Sequence, residues 1–274
     1  MSTGKDNMNK LHQVEFEMLL EFKRICEKYE LTYYLSGGTF LGAVRHKGFI
    51  PWDDDIDVAM PREDYEKFAE MVMKELPEKM SFKTYKIDKE HRNPVARIVN
   101  NEVLVKNYSY SNPKTQPAWI DVFPLDGMPS NKMLATVHKV HLLWRKVMIG
   151  WVNQENIQDA KEHREWYEKI LIAIGKKIKL NRFFDLTKQY AKLEKVLKKY
   201  PSKKSRFYFN FNGVYRFNSI MEKEMFYGDG GTYLFEGVEF NAPKNYHAYL
   251  SRIYGEYMEL PPENKRNLHK TEIV

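Results

Sequence analysis

The sequence predicts an α+β protein, with strands flanked by helices and a basic helical insertion in the middle. Three observations carry that prediction. Over residues 9–76, segments with apolar residues at helical spacing alternate with short β-rich runs. Residues 81–123 then hold four successive runs rich in Val, Ile, Tyr and Phe. From about residue 130 to 200 the pattern turns helical and basic.

Residues 9–30 read as an amphipathic helix, because Leu11, Val14, Met18, Leu19, Phe22, Ile25, Cys26 and Tyr29 recur at spacings of three and four. LTYYL (31–35) reads as a strand, which SGG (36–38) breaks. TFLGAVRHKG (39–48) is expected to be a short helix with Thr39 at its N-cap and Gly48 past its end. DIDVAM (55–60) is expected to be a strand. Pro61 then opens a helix with Tyr65, Phe68, Val72 and Leu76 inward. Strands are expected at 81–87, 94–99, 102–108 and 117–123, with VNNEV as a hairpin turn between the second and third. Helices follow to about residue 200. Asn212-Gly213 suggests a turn between aromatic strands within 207–217, residues 232–243 suggest a second hairpin, and 244–254 a late helix.

With 274 residues the chain can bury a sizeable core, and its 43% hydrophobic and 30% charged content is ordinary for a globular protein. The lone cysteine, Cys26, excludes an internal disulfide and fits a reducing compartment. Its place on the apolar helix face makes it a core residue rather than a nucleophile. The polar N-terminus MSTGKDNMNK lacks the apolar run of a secretory signal, and no window reaches the roughly 18–20 apolar residues of a membrane span, so the cytoplasm is the expected location. Residues 132–206 hold 19 Lys+Arg against 7 Asp+Glu, a net of +12, so the rest of a chain whose total is +7 carries −5. A basic region of this kind suits an anionic surface: phospholipid, polyphosphate or nucleic acid.

FIPWDDDIDVAM (49–60) places four aspartates in five positions and then turns apolar. Residues two apart on a strand share a face, so Asp55 and Asp57 would look one way while Ile56 and Val58 look toward a core. A solvated acidic loop accounts for Asp53 and Asp54 but not for the alternation that follows. A calcium loop beginning at Asp53 would need Gly at its sixth position and Glu at its twelfth, where Val58 and Asp64 stand. Two carboxylates on a rigid strand suit a hard divalent cation, Mg²⁺ or Mn²⁺. Asp121 in AWIDVFPLD has the same apolar neighbours, Ile120 and Val122, and would join the site if its strand lies beside the first; a structural aspartate is the alternative.

Gly37-Gly38, between a strand and a helix, would let a phosphate approach backbone N–H groups at the helix N-terminus, with Ser36 beside it. Arg45, His46 and Lys47 make a basic cluster between this turn and the acidic strand. Cations favoured at a helix C-terminus explain the cluster equally well. Arg97 in VARIV either faces the site or forms a structural ion pair.

YYLSGGTFLGAVRHKGFIPWDDDIDVAMPREDYEKF, together with WIDVFPLDG and APKNYHAYLSRIYGEYMELPPENKR, resembles the LicD family of phosphocholine transferases, relatives of the fukutin-type ribitol-phosphate transferases. The resemblance runs over roughly residues 10–125 and 235–270. It implies a nucleotidyltransferase-like mixed sheet, with residues 1–130 as catalytic core, 131–206 as the basic insertion, and 207–274 completing the core. The family's Gly-Gly turn, acid-apolar-acid strand and later strand acid fall on Gly37-Gly38, Asp55-Ile56-Asp57 and Asp121.

The implied reaction moves phosphocholine from CDP-choline to a sugar hydroxyl of a cell-surface glycan precursor, of teichoic acid or lipopolysaccharide type, with CMP leaving. Asp55, Asp57 and Asp121 would be catalytic and would hold Mg²⁺ or Mn²⁺. Ser36, Gly37, Gly38, Arg45, His46, Lys47 and Arg97 would meet phosphate or nucleotide, and Asp53 and Asp54 would stand behind the ligands or face substrate. A quaternary ammonium favours aromatic faces; Tyr33, Tyr34, Trp52, Phe207, Phe209 and Tyr215 are the candidates for such a cage, and each is also an ordinary core residue. A lipid-linked acceptor would place the enzyme at the inner face of the membrane, where HKVHLLWRKVMIGW and WYEKILIAIGKKIKLNRFF could lie on anionic lipid instead of packing as solvated helices. No nucleic-acid partner is expected.

Two alternatives remain at this stage. One is a nucleotidyltransferase, or a different CDP-alcohol phosphotransferase, acting on another acceptor. The other is a non-catalytic basic protein, which would tolerate Asp57→Asn.

Overall fold

A computed structural model describes residues 2–108, 113–153, 184–263, 266 and 271–274. Helix α1 (Ser2–Lys28) leads into the two-residue strand β1 (Tyr34–Leu35) and helix α2 (Gly37–Arg45). Strand β2 (Asp57–Pro61), helix α3 (Arg62–Glu75), β3 (Met80–Lys83), β4 (Ala96–Asn107) and β5 (Lys114–Met128) follow. Helices α4 (Lys132–Val152) and α5 (Leu186–Leu197) precede β6 (Phe207–Phe209), β7 (Met221–Glu222) and the short helix α6 (Lys223–Phe226). The chain continues with the hairpin β8 (Gly231–Phe235) and β9 (Val238–Ala242), helix α7 (Tyr246–Tyr254) and strand β10 (Thr271–Ile273).

The fold is α+β around a mixed sheet in the order β1-β2-β5-β4-β10. Among the described strands only β2 and β5 run parallel; β1 with β2, β4 with β5, and β10 with β4 are antiparallel. Strand β3 shares the outer edge of β4 with β10, and β6 continues the sheet from the far end of β5. α1 lies across the sheet because its stripe of Met18, Leu19, Phe22, Ile25 and Cys26 is completely removed from water. α3 starts where β2 ends: Pro61 closes the strand with no N–H to offer, and Phe68 and Val72 face the core. A second, smaller apolar cluster joins Met128 of β5 to Leu142 of α4, Leu193, Val196 and Leu197 of α5, and Phe209.

Three local expectations are corrected. Thr39 does not cap α2, which begins two residues earlier with Ser36 in the N-cap position. The VNNEV segment is not a hairpin. β4 runs through it as one strand, and the register slips between Asn100 and Leu104. Asn100 Oδ1 accepts from Glu102 N at 3.0 Å, a local turn that the strand absorbs as a bulge. Nor do Asn212-Gly213 join two paired strands. Asn210 Oδ1 accepts from Gly213 N at 2.9 Å and holds a turn of its own, and β6 pairs with β7 instead, Tyr208 opposite Met221. The hairpin expected within 232–243 is present as β8 and β9. The segment WYEKILIAIGKKIKLNRFF lies, but for its last residue, outside the described residues.

Candidate active site

Three neighbouring strands bring the central residues to one level of the sheet. Parallel pairing sets Asp57 of β2 beside Asp121 of β5, and Asp121 N donates to the Ile56 carbonyl at 2.9 Å. Antiparallel β4 sets Arg97 opposite Asp121, and Arg97 Nε donates to Asp121 Oδ1 at 2.7 Å. The Arg97 guanidinium also lies 4.4 Å from the centre of the Trp119 ring, so an acid and an indole fix it between them. Arg97 therefore forms an ion pair, and that pair is with the candidate site acid itself.

Burial follows the alternation of the acidic run. Asp53, Asp55 and Asp57 are half-buried, while Asp54, Ile56 and Val58 are buried. Asp55 precedes β2 yet keeps its parity. The two aspartates that sequence left ambiguous part company: Asp53 falls in step with Asp55 and Asp57, whereas Asp54, 2% exposed, turns inward with the apolar residues.

The start of α2 is stitched onto the start of β2. Ser36 N donates to the Asp57 carbonyl at 3.0 Å, and Asp57 N donates to Thr39 Oγ1 at 2.8 Å. Gly37 has φ +55°, and a Cβ there would stand 2.6 Å from Asp57 Oδ2. A Cβ on Gly38 would collide with Asp53 Oδ2. The glycine pair thus lets two carboxylates lie against a helix N-terminus, where the peptide dipoles favour negative charge.

That relief is partial. Burial, reinforced by Asp55, Asp121 and Asp53, pushes the Asp57 carboxyl well above the usual carboxylate range, and Arg97 opposes the shift. Glu15 of α1 joins the same electrostatic cluster. It is 2% exposed, its Oε2 has no hydrogen-bond partner, and burial followed by Asp55, Asp54, Asp53 and Asp121 raises its pKa strongly. One turn away, His12 Nε2 meets the Asp53 carbonyl at 2.7 Å with its ring stacked on Phe49 at 3.9 Å. The sequence carried a signal for Glu15: an acid stands at the i+4 position between Leu11 and Leu19, inside the apolar stripe.

The donor set is carboxylate oxygen, the chemistry of a hard divalent cation. Among the described residues, no three acidic, histidine or cysteine side chains already surround one point at ligating distance. Mg²⁺ is commonly held by one or two carboxylates, with substrate phosphates and waters completing its shell. Asp57 and Asp121 fit a site that substrate completes, rather than an all-protein cage.

The basic cluster spreads out. Arg45 Nη1 donates to the Tyr257 carbonyl at 2.8 Å and its Nε to His46 Nε2 at 3.0 Å, so it ties α2 to the C-terminal loop. Burial lowers the pKa of both groups, and Asp53 lies within electrostatic reach of Arg45. Lys47 is exposed at φ +62°, and its carbonyl accepts from Glu236 N at 2.9 Å, at the tip of the β8–β9 hairpin. Trp52 has His46 edge-on at 6.0 Å and Arg266 over its ring at 4.7 Å, which adds a cation from the C-terminal segment.

The six aromatic candidates do not gather. Tyr33 packs edge-on against Phe22, Tyr34 against Tyr227, and Phe209 lies fully buried in the second cluster beside His138. Phe207 is half-buried under Arg206 at the sheet's far end. Tyr215 meets a residue that the sequence did not single out: Tyr254 of α7, ring centres 5.7 Å apart at 81°. Tyr254 is within electrostatic reach of Asp57 and Asp53, and Tyr249 on the same helix meets Ser36 Oγ through its hydroxyl at 3.3 Å. The late helix was legible in the sequence; its seat against the acidic strand was not. An open cleft of about 500 Å³ lined by Glu224, Met225, Asp229 and Lys244 among others shares no residue with this cluster.

The sequence profile of the LicD/FKTN/FKRP nucleotidyltransferase domain matches residues 30–146, a span that contains Gly37, Asp57, Arg97 and Asp121. The lipopolysaccharide cholinephosphotransferase LicD of Haemophilus influenzae is 30% identical over 262 residues, covering 90% of this chain and 90% of its own length. Shorter matches reach an uncharacterized protein of Rickettsia prowazekii, 39% identical over 49 residues and 18% of each chain, and protein T07A5.1 of Caenorhabditis elegans, 45% identical over 49 residues, 18% of this chain and 13% of its own. With a LicD protein matched at 30% identity over 90% of each chain, and the LicD/FKTN/FKRP domain profile falling on the part that holds the acids and the glycine turn, the chain belongs to the LicD family.

Proposed function

We propose that this protein transfers phosphocholine from CDP-choline to a sugar hydroxyl of a cell-surface glycan precursor, of lipopolysaccharide or teichoic acid type, and releases CMP. The observation that carries the reading is the Asp57–Asp121 pair, level on parallel strands and set against the Gly37 turn, in a chain 30% identical to a cholinephosphotransferase over 262 residues. Asp57 and Asp121, with Asp55 beside them, would hold Mg²⁺ or Mn²⁺, which would supply charge neutralisation at the donor diphosphate. The chain's own groups do the rest. Asp121, oriented by Arg97, positions the acceptor hydroxyl and takes its proton. The hydroxyl oxygen bonds to the phosphorus that carries choline, the bond from that phosphorus to the bridging oxygen breaks, and CMP leaves with the electron pair. Arg45, with Arg266 over the Trp52 ring, meets the anionic nucleotide end, and Tyr215 and Tyr254 receive the trimethylammonium. Such a donor and a lipid-linked acceptor place the enzyme in the cytoplasm at the inner face of the membrane.

A donor screen tests the reading. Purified protein is given CDP-choline, CDP-ethanolamine and CDP-ribitol with Mg²⁺ or Mn²⁺ and a glycan extract, and CMP release and product mass are followed. CMP release with phosphocholine on the sugar is expected. A cytidylyl group on the product would make it a nucleotidyltransferase, and no release from any CDP-alcohol would sink the assignment.

A further inference from the structure

One face of α4 is apolar and turned away from the other described elements. Met133, Val137, Val140 and Trp144 follow one another at helical spacing in a single stripe, and they are 72%, 60%, 61% and 51% exposed. Leu134 and Leu143 widen it, and Trp151 extends it, meeting Trp144 edge-on at 6.2 Å. The opposite face is already used. His138 packs on the Tyr200 ring at 4.9 Å, and Leu142 is fully buried with Leu193, Val196 and Leu197 of α5. The helix is therefore apolar on two sides, and among the described residues only one of them is filled by the core. Exposed apolar area of this kind on a surface helix marks a docking face.

Charge identifies the occupant. α4 carries Lys132, Lys139, Arg145 and Lys146 and no acidic residue. Lys139 and Lys146 lie on one flank, their ammonium groups over the Phe217 and Phe211 rings, and Arg145 with His141 on the other. The neighbouring α5 adds Lys188, Lys192 and Lys195 against Glu194. A second copy of this chain, paired through the same stripe, would set cations against cations. An anionic lipid surface answers both features: Trp at headgroup level, aliphatic side chains at the acyl boundary, and flanking Lys and Arg reaching the phosphates. No described helix is long and apolar enough to cross a membrane, so α4 would lie along the surface.

We propose that α4 docks the protein on anionic lipid through Met133, Val137, Val140 and Trp144. The proposal is independent of which group the enzyme transfers, because its test needs no donor. The full chain is floated with vesicles of phosphatidylcholine alone and of phosphatidylcholine mixed with phosphatidylglycerol. Wild type is expected to bind only the anionic vesicles, to be released by added salt, and to shift Trp emission to the blue on binding. Val137→Glu/Val140→Glu is expected to weaken binding about tenfold or more with an unchanged melting temperature and unchanged mass by light scattering. Absent or charge-indifferent binding of wild type, or undiminished binding by the double variant, would overturn it. So would a variant that melts far lower or changes its mass, since the stripe would then be covered within the chain or by a second copy.

Discussion

Asp57 and Glu15 are carboxyl groups that the fold holds against their own chemistry. Burial and same-sign neighbours raise both above their ordinary range. A carboxyl whose pKa is raised on folding contributes stability that is complete below its unfolded value, near 4.5 for Glu15, and is lost as pH rises through the folded value. The metal-free protein should therefore lose stability from mild acid toward pH 8 through these groups. Glu15→Gln keeps the shape and removes the penalty. In chelator its melting temperature should exceed that of wild type at pH 8, by about 2–4 °C for each kcal/mol relieved, and the gap should close near pH 4. Asp57→Asn should also stabilise the chelated protein while cutting CMP release by at least about 100-fold. A melting scan and a turnover assay on one preparation check both halves. The acid-apolar-acid alternation was legible because period two is a property of a single strand. For Glu15 only the burial was legible, from its place in the apolar stripe; its acidic neighbours were not, because they lie far along the chain on segments whose neighbours only the fold decides.

At the scale of elements, the α2 turn and α4 invite substitution for different reasons. Gly37→Ala would put a methyl 2.6 Å from Asp57 Oδ2 at a backbone angle of +55°. Left-handed backbone alone costs an alanine about 1–2 kcal/mol, so a lower denaturation midpoint is expected, together with a loss of turnover larger than that destabilisation explains. His138, on the filled side of α4, has its pKa lowered to about 4 by burial, with Lys199 and His141 adding to the shift. An imidazole depressed on folding contributes stability that is present above its unfolded value near 6.5 and is lost as pH falls toward about 4. His138→Phe keeps the ring packing against Tyr200, so its urea midpoint should fall less than wild type's between pH 7 and pH 5. Element type was well marked in the sequence, and misreadings arose at asparagines. Asn100 and Asn210 each bend the backbone with their own side chains, once inside a strand and once after one, where a turn residue suggests a hairpin.

For the whole molecule, the legible part is which faces are apolar, and the illegible part is which strands are neighbours. The pattern around Asp121 matched that around Asp57, yet nothing local to either says that β2 lies against β5 rather than at an edge. The long-range ties that settle such questions are few and specific. Arg62 at the start of α3 forks onto Asp126 of β5 at 2.7 and 2.8 Å with both groups buried. Arg62→Met leaves a buried carboxylate without its partner and should cost about 3–5 kcal/mol in chemical denaturation. Asp126→Asn in the same background should recover part of that loss.

The parallel pairing of β2 with β5, the only one among the described strands, also makes a topological demand. β2 and β5 are separated in the chain by α3, β3 and β4. Their contact closes a long loop, the kind of step that comes late as a chain organises. Closing that loop is also what brings Asp57 and Asp121, two like charges, together, so the pairing that knits the sheet carries an electrostatic cost that the apolar pairs beside it, Val58 with Val122 and Ala59 with Phe123, help to offset.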